Sequence, residues 1–440
     1  MRDVVLAAVL LVLLVWTLRS PWVGVLTWTW LGLMNPHRLS WGFIVDAPVA
    51  VAVAVVTLIS MVLQAKENRT PPLTAPVVWL TLLTLQFNFT TFFAWTPEAA
   101  WFQWDKVMKI LLFTYVTVLL IHGRERIRWL MIVVAGSLAF YGIKGGIFSL
   151  TSGGQYKIWG PDGTFIDGNN EIGLAMIMVW PLMIALARDP QKWVRWTFKA
   201  GSWLTPLSIV FTYSRGALLG FAAVSAPLIW HAKRKWLLLL LAIPVGAFAL
   251  WFTPEQLVDR AETIQTFQQD HSAMQRIQAW GVSWNVAVAH PFTGAGFQLD
   301  SADTARWLSH AFFLSEEWNN RPRAAHSIYF QILGDHGFVG LFLFLGLLAS
   351  TFLALGQVRR ESLTLLGAEW LAEYANALRL GLIGYAVSGA FLSLGYFDLF
   401  YIFVAATAIL QRELAGLRKA AGAPLPRASS AAAPVLSARR

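Results

Sequence analysis

Cysteine is absent, which excludes disulfides and thiolate metal sites. Charge is scarce: Asp, Glu, Lys and Arg make up 13% of the 440 residues, against about 25% in soluble domains. With 57% hydrophobic residues, the chain holds more apolar surface than one globular core can hide. There is no Walker A lysine loop, no His-x-x-x-His pair and no Asp-x-Asp. Chemistry that needs bound ATP or a metal-held nucleotide sugar therefore has no motif here. No internal repeat is evident, and no metal site or cofactor is expected.

What is present is apolar sequence in long blocks. Runs at 3–18, 21–34, 47–64, 74–94, 106–121, 127–149, 170–187, 195–212, 216–231, 236–252, 326–356, 375–394 and 397–411 alternate with polar turns. A spanning helix needs about 20 residues, so the first two runs are short and count as one crossing or two. Helices and closed barrels are the only spanning structures, and these runs are too long for barrel strands. The composition predicts an all-α, polytopic integral membrane helical bundle of about 12 transmembrane helices. The 23 tryptophans suit interfacial belts. The first run looks like a signal sequence, but no small-x-small cleavage site follows, so it reads as a retained helix.

The net charge of +10 reports topology rather than nucleic-acid binding, because the basic residues sit in short turns. Lys66 and Arg69, Arg124 to Arg128, Arg188 to Arg195, Lys233 to Lys235, Arg359 and Arg360, and Arg412 to Lys419 mark alternate turns. These are expected to be cytoplasmic. The external set is then 95–105, 150–169, the turn near 213–215, the stretch 253–325 and the turn near 395. Arg2, Arg19 and Arg38 cannot all lie inside, so the orientation of the N-terminus stays open. Four regions follow: a transmembrane bundle over 1–252, a large periplasmic loop over 253–325, C-terminal transmembrane helices over 326–415, and a cytoplasmic tail over 416–440. The tail is rich in Ala, Pro, Ser and Arg and is expected to be disordered.

The loop 253–325 is large enough to fold. Thr253-Pro254 starts a helix. Ser272 is expected to cap a second, on which Ile277, Trp280, Trp284 and Val288 form one apolar stripe. His290-Pro291, Gly294 and Gly296 end it. A third helix is expected over 302–318, ending at Glu316-Glu317. Together they would lie on the membrane surface as a cap.

Unusual polar residues gather on this external side. Arg215 offers a planar fork of donors suited to phosphate, or it pairs with a lipid phosphate or carboxylate at a helix end. Arg276 sits on the amphipathic loop helix, where a solvated role is the plain alternative. Arg321 and Arg323 extend the positive charge or anchor at the interface. Lys144 either snorkels or meets substrate. Asn169 and Asn170 precede a helix and either cap it or donate to a sugar or phosphate. Asp398 opens the last span and is either functional or paired with an arginine. His326 stands at the aqueous mouth of a long helix, where imidazole titrates near neutrality. His336, ten residues on and about 15 Å deeper, reads as a packing residue. Gly334, Gly337 and Gly340 would allow close helix packing.

External arginines, a base at the membrane surface and no metal motif suit a substrate that arrives already activated. A polyprenyl-diphosphate-linked sugar meets that description. Its diphosphate leaves once arginines neutralise it, and histidine takes the proton of the attacking hydroxyl. Single displacement inverts the anomeric centre.

His326-Ser327, nine residues, and then Gly337-Phe338-Val339-Gly340 resemble the histidine motif of the O-antigen ligase superfamily. Arg215 in its Tyr-Ser-Arg-Gly context, Arg276 followed by Trp280, and Gly294-Ala295-Gly296-Phe297 are similar to that superfamily's central arginine and large periplasmic loop. The stretches around Met34–Phe43, Tyr141–Gly146 and Gly153–Asn170 are similar to a subgroup described as O-glycosylation ligases linked to exosortase systems. The resemblance implies a GT-C-like glycosyltransferase with a helical periplasmic cap. It implies transfer of a glycan from undecaprenyl diphosphate in the bacterial inner membrane, with His326 as general base and Arg215 and Arg276 on the diphosphate. Lys144, Asn169, Asn170, Arg321 and Arg323 are further candidates for substrate binding. Lipid A–core is the commonest ligase acceptor that the resemblance implies.

A protein O-oligosaccharyltransferase or an O-antigen polymerase would share the membrane half of this site and differ only in acceptor. A transporter of anionic solutes would also have many spans. Transporters place polar residues near the midplane in paired repeats, whereas here they collect at one face.

Overall fold

The computed structural model describes residues 2–230, 271–316 and 319–422. The expected span over 236–252, the helix start at Thr253-Pro254, Glu317 and the tail from 423 lie outside the described residues. Among the described residues the chain forms helices and no strand. They are α1 (Arg2–Arg19), α2 (Pro21–Met34), α3 (Val49–Leu63), α4 (Ala75–Thr91), α5 (Pro97–Leu120), α6 (Gly123–Thr151), α7 (Asn169–Leu186), α8 (Lys192–Val210), α9 (Arg215–Trp230), α10 (His271–Ala289), α11 (Thr304–Leu308), α12 (Ile328–Ser362), α13 (Glu369–Ser388) and α14 (Asp398–Ala420).

The helices fall on the apolar runs, and their starts carry familiar signals. Pro21, Pro76 and Pro97 sit in first turns, where the missing N–H removes no helical bond. Ser214 Oγ accepts from Ala217 N at 3.1 Å, satisfying a first-turn donor of α9. Four helices, α6, α7, α12 and α14, are long and apolar enough to cross a membrane, and α3 and α9 are shorter apolar helices. Large apolar side chains such as Leu11, Val12, Leu85, Phe342 and Leu353 face outward. Such a surface fits an integral membrane protein, whose solvent is hydrocarbon.

Helix α7 lies at the centre, with Ile172 to Val179 buried and α8, α9 and α13 packed around it. Small residues permit that closeness. A Cβ on Gly381 of α13 would lie 2.2 Å from the Met178 carbonyl oxygen. On α6, Cβ atoms at Gly142 and Gly146 would lie 2.1 Å from Thr205 Oγ1 and 2.5 Å from the Leu204 carbonyl oxygen of α8.

The basic turns collect at one end of the bundle. Arg126 pairs with Glu67 at 2.5 Å, and Arg418 with Glu361 at 2.7 Å. Arg128 grips Asp189 with two hydrogen bonds of 2.7 and 2.8 Å. Arg412 donates to the carbonyls of Val118 and Ile121, and Glu413 accepts from Gly123 N. The residues proposed for chemistry lie at the other end, reached by running back along α6, α12 and α13.

Three expectations need correction. Helix α10 is described from His271, so Ser272 lies inside it and is not its cap. Among the described residues of the expected helix over 302–318, only the five of α11 are α-helical, started by Asp303 accepting from Ala305 N and Arg306 N. The chain beyond bonds to α10 as well as to itself: Asn285 donates to the His310 carbonyl and Gln278 to the Phe313 carbonyl and Asn320, while Ser315 and Asn320 bond to each other. Finally, the packing role expected of Gly334, Gly337 and Gly340 holds for Gly334, where a Cβ would lie 2.9 Å from Ser283 Oγ of α10, and fails for Gly337. Gly337 has φ 69° and ψ −170° and breaks α12. The turn after α10 docks in this break, with Ala295 N donating to Gly334 O at 2.9 Å and Val339 N to Pro291 O at 3.3 Å.

Candidate functional site

The stripe on α10 fixes where the site can be. Ile277, Trp284 and Val288 are exposed, while Gln278, Ala279, Val282, Ser283 and Val286 form the buried face that packs on α12. Trp280 leaves the stripe. Its Nε1 donates to the Ala325 carbonyl at 2.6 Å and its ring stacks on Phe330 at 5.1 Å. The segment 319–326 is thereby strapped across the mouth of α12.

His326 ends this strap. It is exposed and has φ 46°, a left-handed conformation that non-glycine residues adopt at a cost and that clusters at functional sites. Its backbone N–H donates to Ser393 Oγ at 2.8 Å. Neighbouring atoms strip part of the imidazole's hydration and the Arg276 guanidinium lies close, and both hold its pKa below the ordinary 6.5. A neutral imidazole is what a general base requires.

Arg276 acts electrostatically on two groups at once, His326 and Glu171 in the first turn of α7. The N-terminus of α7 in turn holds the turn before α9. Asn169 Nδ2 donates to the Thr212 carbonyl at 2.8 Å, so Asn169 braces a turn and does not cap its own helix, which has no side-chain cap. That turn places Tyr213 at φ 54°, its hydroxyl donating to the Gly154 carbonyl. Arg215 follows as the exposed first residue of α9.

The circuit closes through the end of α13. Ser388 Oγ donates to the Gly216 carbonyl at 3.0 Å, Gly389 packs on Ile328, and Ser393 holds His326. Five distant segments, 169–171, 212–216, 276, 326–328 and 388–393, thus form a ring. Arg215, Arg276 and His326 stand on it, with one carboxylate, Glu171.

Other candidates fall elsewhere. Arg323 spends its guanidinium on the strap, donating to the carbonyls of Asn319 and Arg321, while Arg321 is exposed. Lys144 is exposed, and among the described residues no contact joins it to the ring; its glycine neighbours pack α6 on α8. Asn170 lies half-buried beside Asn169. Asp398 has Lys106, not an arginine, as its cationic neighbour. His336 is fully buried, with Nδ1 2.6 Å from Thr90 Oγ1 and Nε2 2.8 Å from the Tyr396 hydroxyl.

Glu171 and Ser393 escaped the reading of the sequence. Glu171 follows Asn169-Asn170 as an ordinary acidic first-turn residue, and only the fold brings Arg276 to it. A serine in a turn carries no signal of its own.

Two family models match this chain. Residues 1–190 match a family of unknown function, DUF5935, and no curated protein matches the chain. Residues 200–345, which carry Arg215, Arg276, His326 and the broken start of α12, match the family described as O-Antigen ligase.

Proposed function

We propose that the protein is a metal-independent, inverting glycosyltransferase of the O-antigen ligase type. It moves an O-antigen glycan from undecaprenyl diphosphate to a hydroxyl of lipid A–core, at the periplasmic face of the bacterial inner membrane. The observation that carries this reading is the position of Arg276, within electrostatic reach of both His326 and the α7 N-terminus. A guanidinium, two helix N-termini and a neutral imidazole then stand on one ring of segments, a combination that suits a diphosphate beside a proton acceptor. Arg215 adds the second cation at the start of α9.

The step balances without a further reactant. The acceptor oxygen attacks the anomeric carbon as its proton passes to His326. The bond from that carbon to the diphosphate oxygen breaks, and the electron pair leaves on a diphosphate neutralised by Arg215 and Arg276. The strained, anchored backbone at His326 holds the imidazole in place. The basic turns at the opposite end suit a cytoplasmic location by the positive-inside rule, which puts the ring and its helical cap outside and the C-terminus inside.

The test is transfer by purified protein from a defined undecaprenyl-diphosphate glycan to lipid A–core, with a candidate protein as the competing acceptor. Product on lipid A–core supports the reading. Product on protein alone moves the reading to the protein O-oligosaccharyltransferase alternative. Absence of product with both, together with solute flux in liposomes, would overturn the enzyme reading.

A further inference from the structure

A pocket of about 230 Å³ opens behind the strap, walled by Gln103, Phe165, Trp307, Phe330, Gln331 and Tyr396. Ser393, which holds His326, and Ala325, which Trp280 holds, also line it. From this we infer that the pocket is a subsite for a single sugar ring of one of the two substrates, an inference that rests on the glycosyl-transfer reading above.

Charge argues for a neutral ligand. Lys106 and Arg323 line the pocket together with Asp300 and Asp335, so the two signs balance. Lys106 lies over the Phe165 ring at 3.8 Å, and Arg323 is engaged by strap carbonyls. A phosphate gains little there. Size argues for one ring, since the volume falls below the ~300 Å³ at which sites for drug-sized ligands begin.

The wall chemistry is that of sugar recognition. The rings of Phe165, Trp307 and Phe330 give the wall apolar surface that suits the C–H groups of a pyranose, and amides between them suit its hydroxyls. Those amides are oriented beforehand. Gln331 Oε1 accepts from Gly395 N at 2.9 Å, and Gln103 Oε1 accepts from Gln298 at 3.4 Å, leaving NH₂ donors on both. The floor is locked too: the Tyr396 hydroxyl donates to Asp335 Oδ2 at 2.7 Å, and Asp335 Oδ1 accepts from Leu299 N at 3.0 Å. A site with fixed hydrogen-bonding groups rejects rings that leave them unpaired.

The experiment compares the wild-type protein with Gln103→Ala, which removes an amide, and Gln103→Trp, which fills the space. Donors differing only in the sugar next to the diphosphate, and acceptors differing only in the terminal sugar, are assayed separately. Both variants are expected to raise KM about tenfold or more for one substrate only, with kcat within about twofold, and the substrate affected names the source of the ring. Active wild-type protein whose two variants keep both KM values would overturn the inference. If the wild type transfers nothing, the glycosyl-transfer reading fails instead. The pocket is then tested by saturation-transfer NMR with free hexoses and N-acetylhexosamines. Binding that disappears in Gln103→Trp supports a sugar subsite, and no binding, or equal binding by both proteins, overturns it.

Discussion

The backbone N–H of His326 donates to Ser393 Oγ at 2.8 Å, so a residue 67 positions later holds the proposed base. The left-handed conformation that it holds, φ 46°, costs about 1–3 kcal/mol and relaxes once the anchor is gone. Ser393→Ala is expected to lower kcat about tenfold or more, since small misplacements of catalytic groups are expensive. KM and thermal unfolding should stay near wild type, and Ser393→Thr should restore the rate. Wild-type kcat in the alanine variant would leave Ser393 without a positioning role.

His326→Ala is expected to abolish transfer while the protein still inserts and folds, and His336→Ala to be milder for chemistry. The pH profile of kcat/KM gives a finer check. Partial burial and Arg276 hold the His326 pKa below 6.5, and the base works only when neutral. Activity should therefore be flat through pH 7 and fall as pH drops through that lowered pKa. In Arg276→Gln the cationic contribution is gone, the pKa rises, and the acid limb should move to higher pH. An unmoved limb would detach Arg276 from the base.

Arg215→Lys keeps the charge and loses the planar fork. A charge-assisted hydrogen bond contributes about 1.5–3 kcal/mol, so kcat/KM should fall roughly ten- to a hundredfold. With arginines as the cations, EDTA should leave the rate unchanged. Full activity in the lysine variant, or loss with EDTA that added divalent ions restore, would count against the arginine account.

Gly337→Ala should be worse than Gly334→Ala. At φ 69° the new Cβ would lie 2.4 Å from the Pro291 carbonyl oxygen, a backbone atom with nowhere to go. The left-handed conformation itself adds roughly 1–2 kcal/mol for a residue with a side chain. Gly334→Ala meets Leu299 Cδ2 at 2.7 Å, the far end of a side chain that can turn. The yield of monodisperse protein and its thermal midpoint should rank wild type, then Gly334→Ala, then Gly337→Ala.

At the opposite end, Arg128→Ala strands the buried Asp189, 6% exposed. Breaking such a pair costs roughly 3–5 kcal/mol. A clear drop in thermal midpoint is expected, with kcat unchanged for the folded fraction, because the ring lies across the bundle. Loss of kcat without loss of stability would contradict that separation.

Much of the fold was legible because a helix in hydrocarbon must be apolar along its whole length, and polar turns then stand out. Arg215 stood out because a cation in a turn expected to be external runs against the usual bias, and His326 because it stands at the mouth of a long apolar helix. Other features left no such mark. Gly334, Gly337 and Gly340 share the spacing of packing glycines, and nothing local distinguishes a glycine that seats a neighbouring helix from one with positive φ. The helix expected over 302–318 failed because Gln278 and Asn285 of α10 compete for its carbonyls. Lys144 stood out as a cation near a helix end, and the glycines around it let α6 approach Thr205 and Leu204. Ser393 could be found only by knowing what lies beside it in space.

Because the ring takes its last piece from residues 388–393, the end that carries the proposed site is completed late in synthesis. Arg215, Arg276 and His326 are all in the chain before residue 330, yet His326 gains its backbone anchor only when Ser393 arrives, just ahead of the final helix. A ribosome-bound or prematurely terminated chain that stops short of Ser393 would carry every reactive group and hold its base loosely.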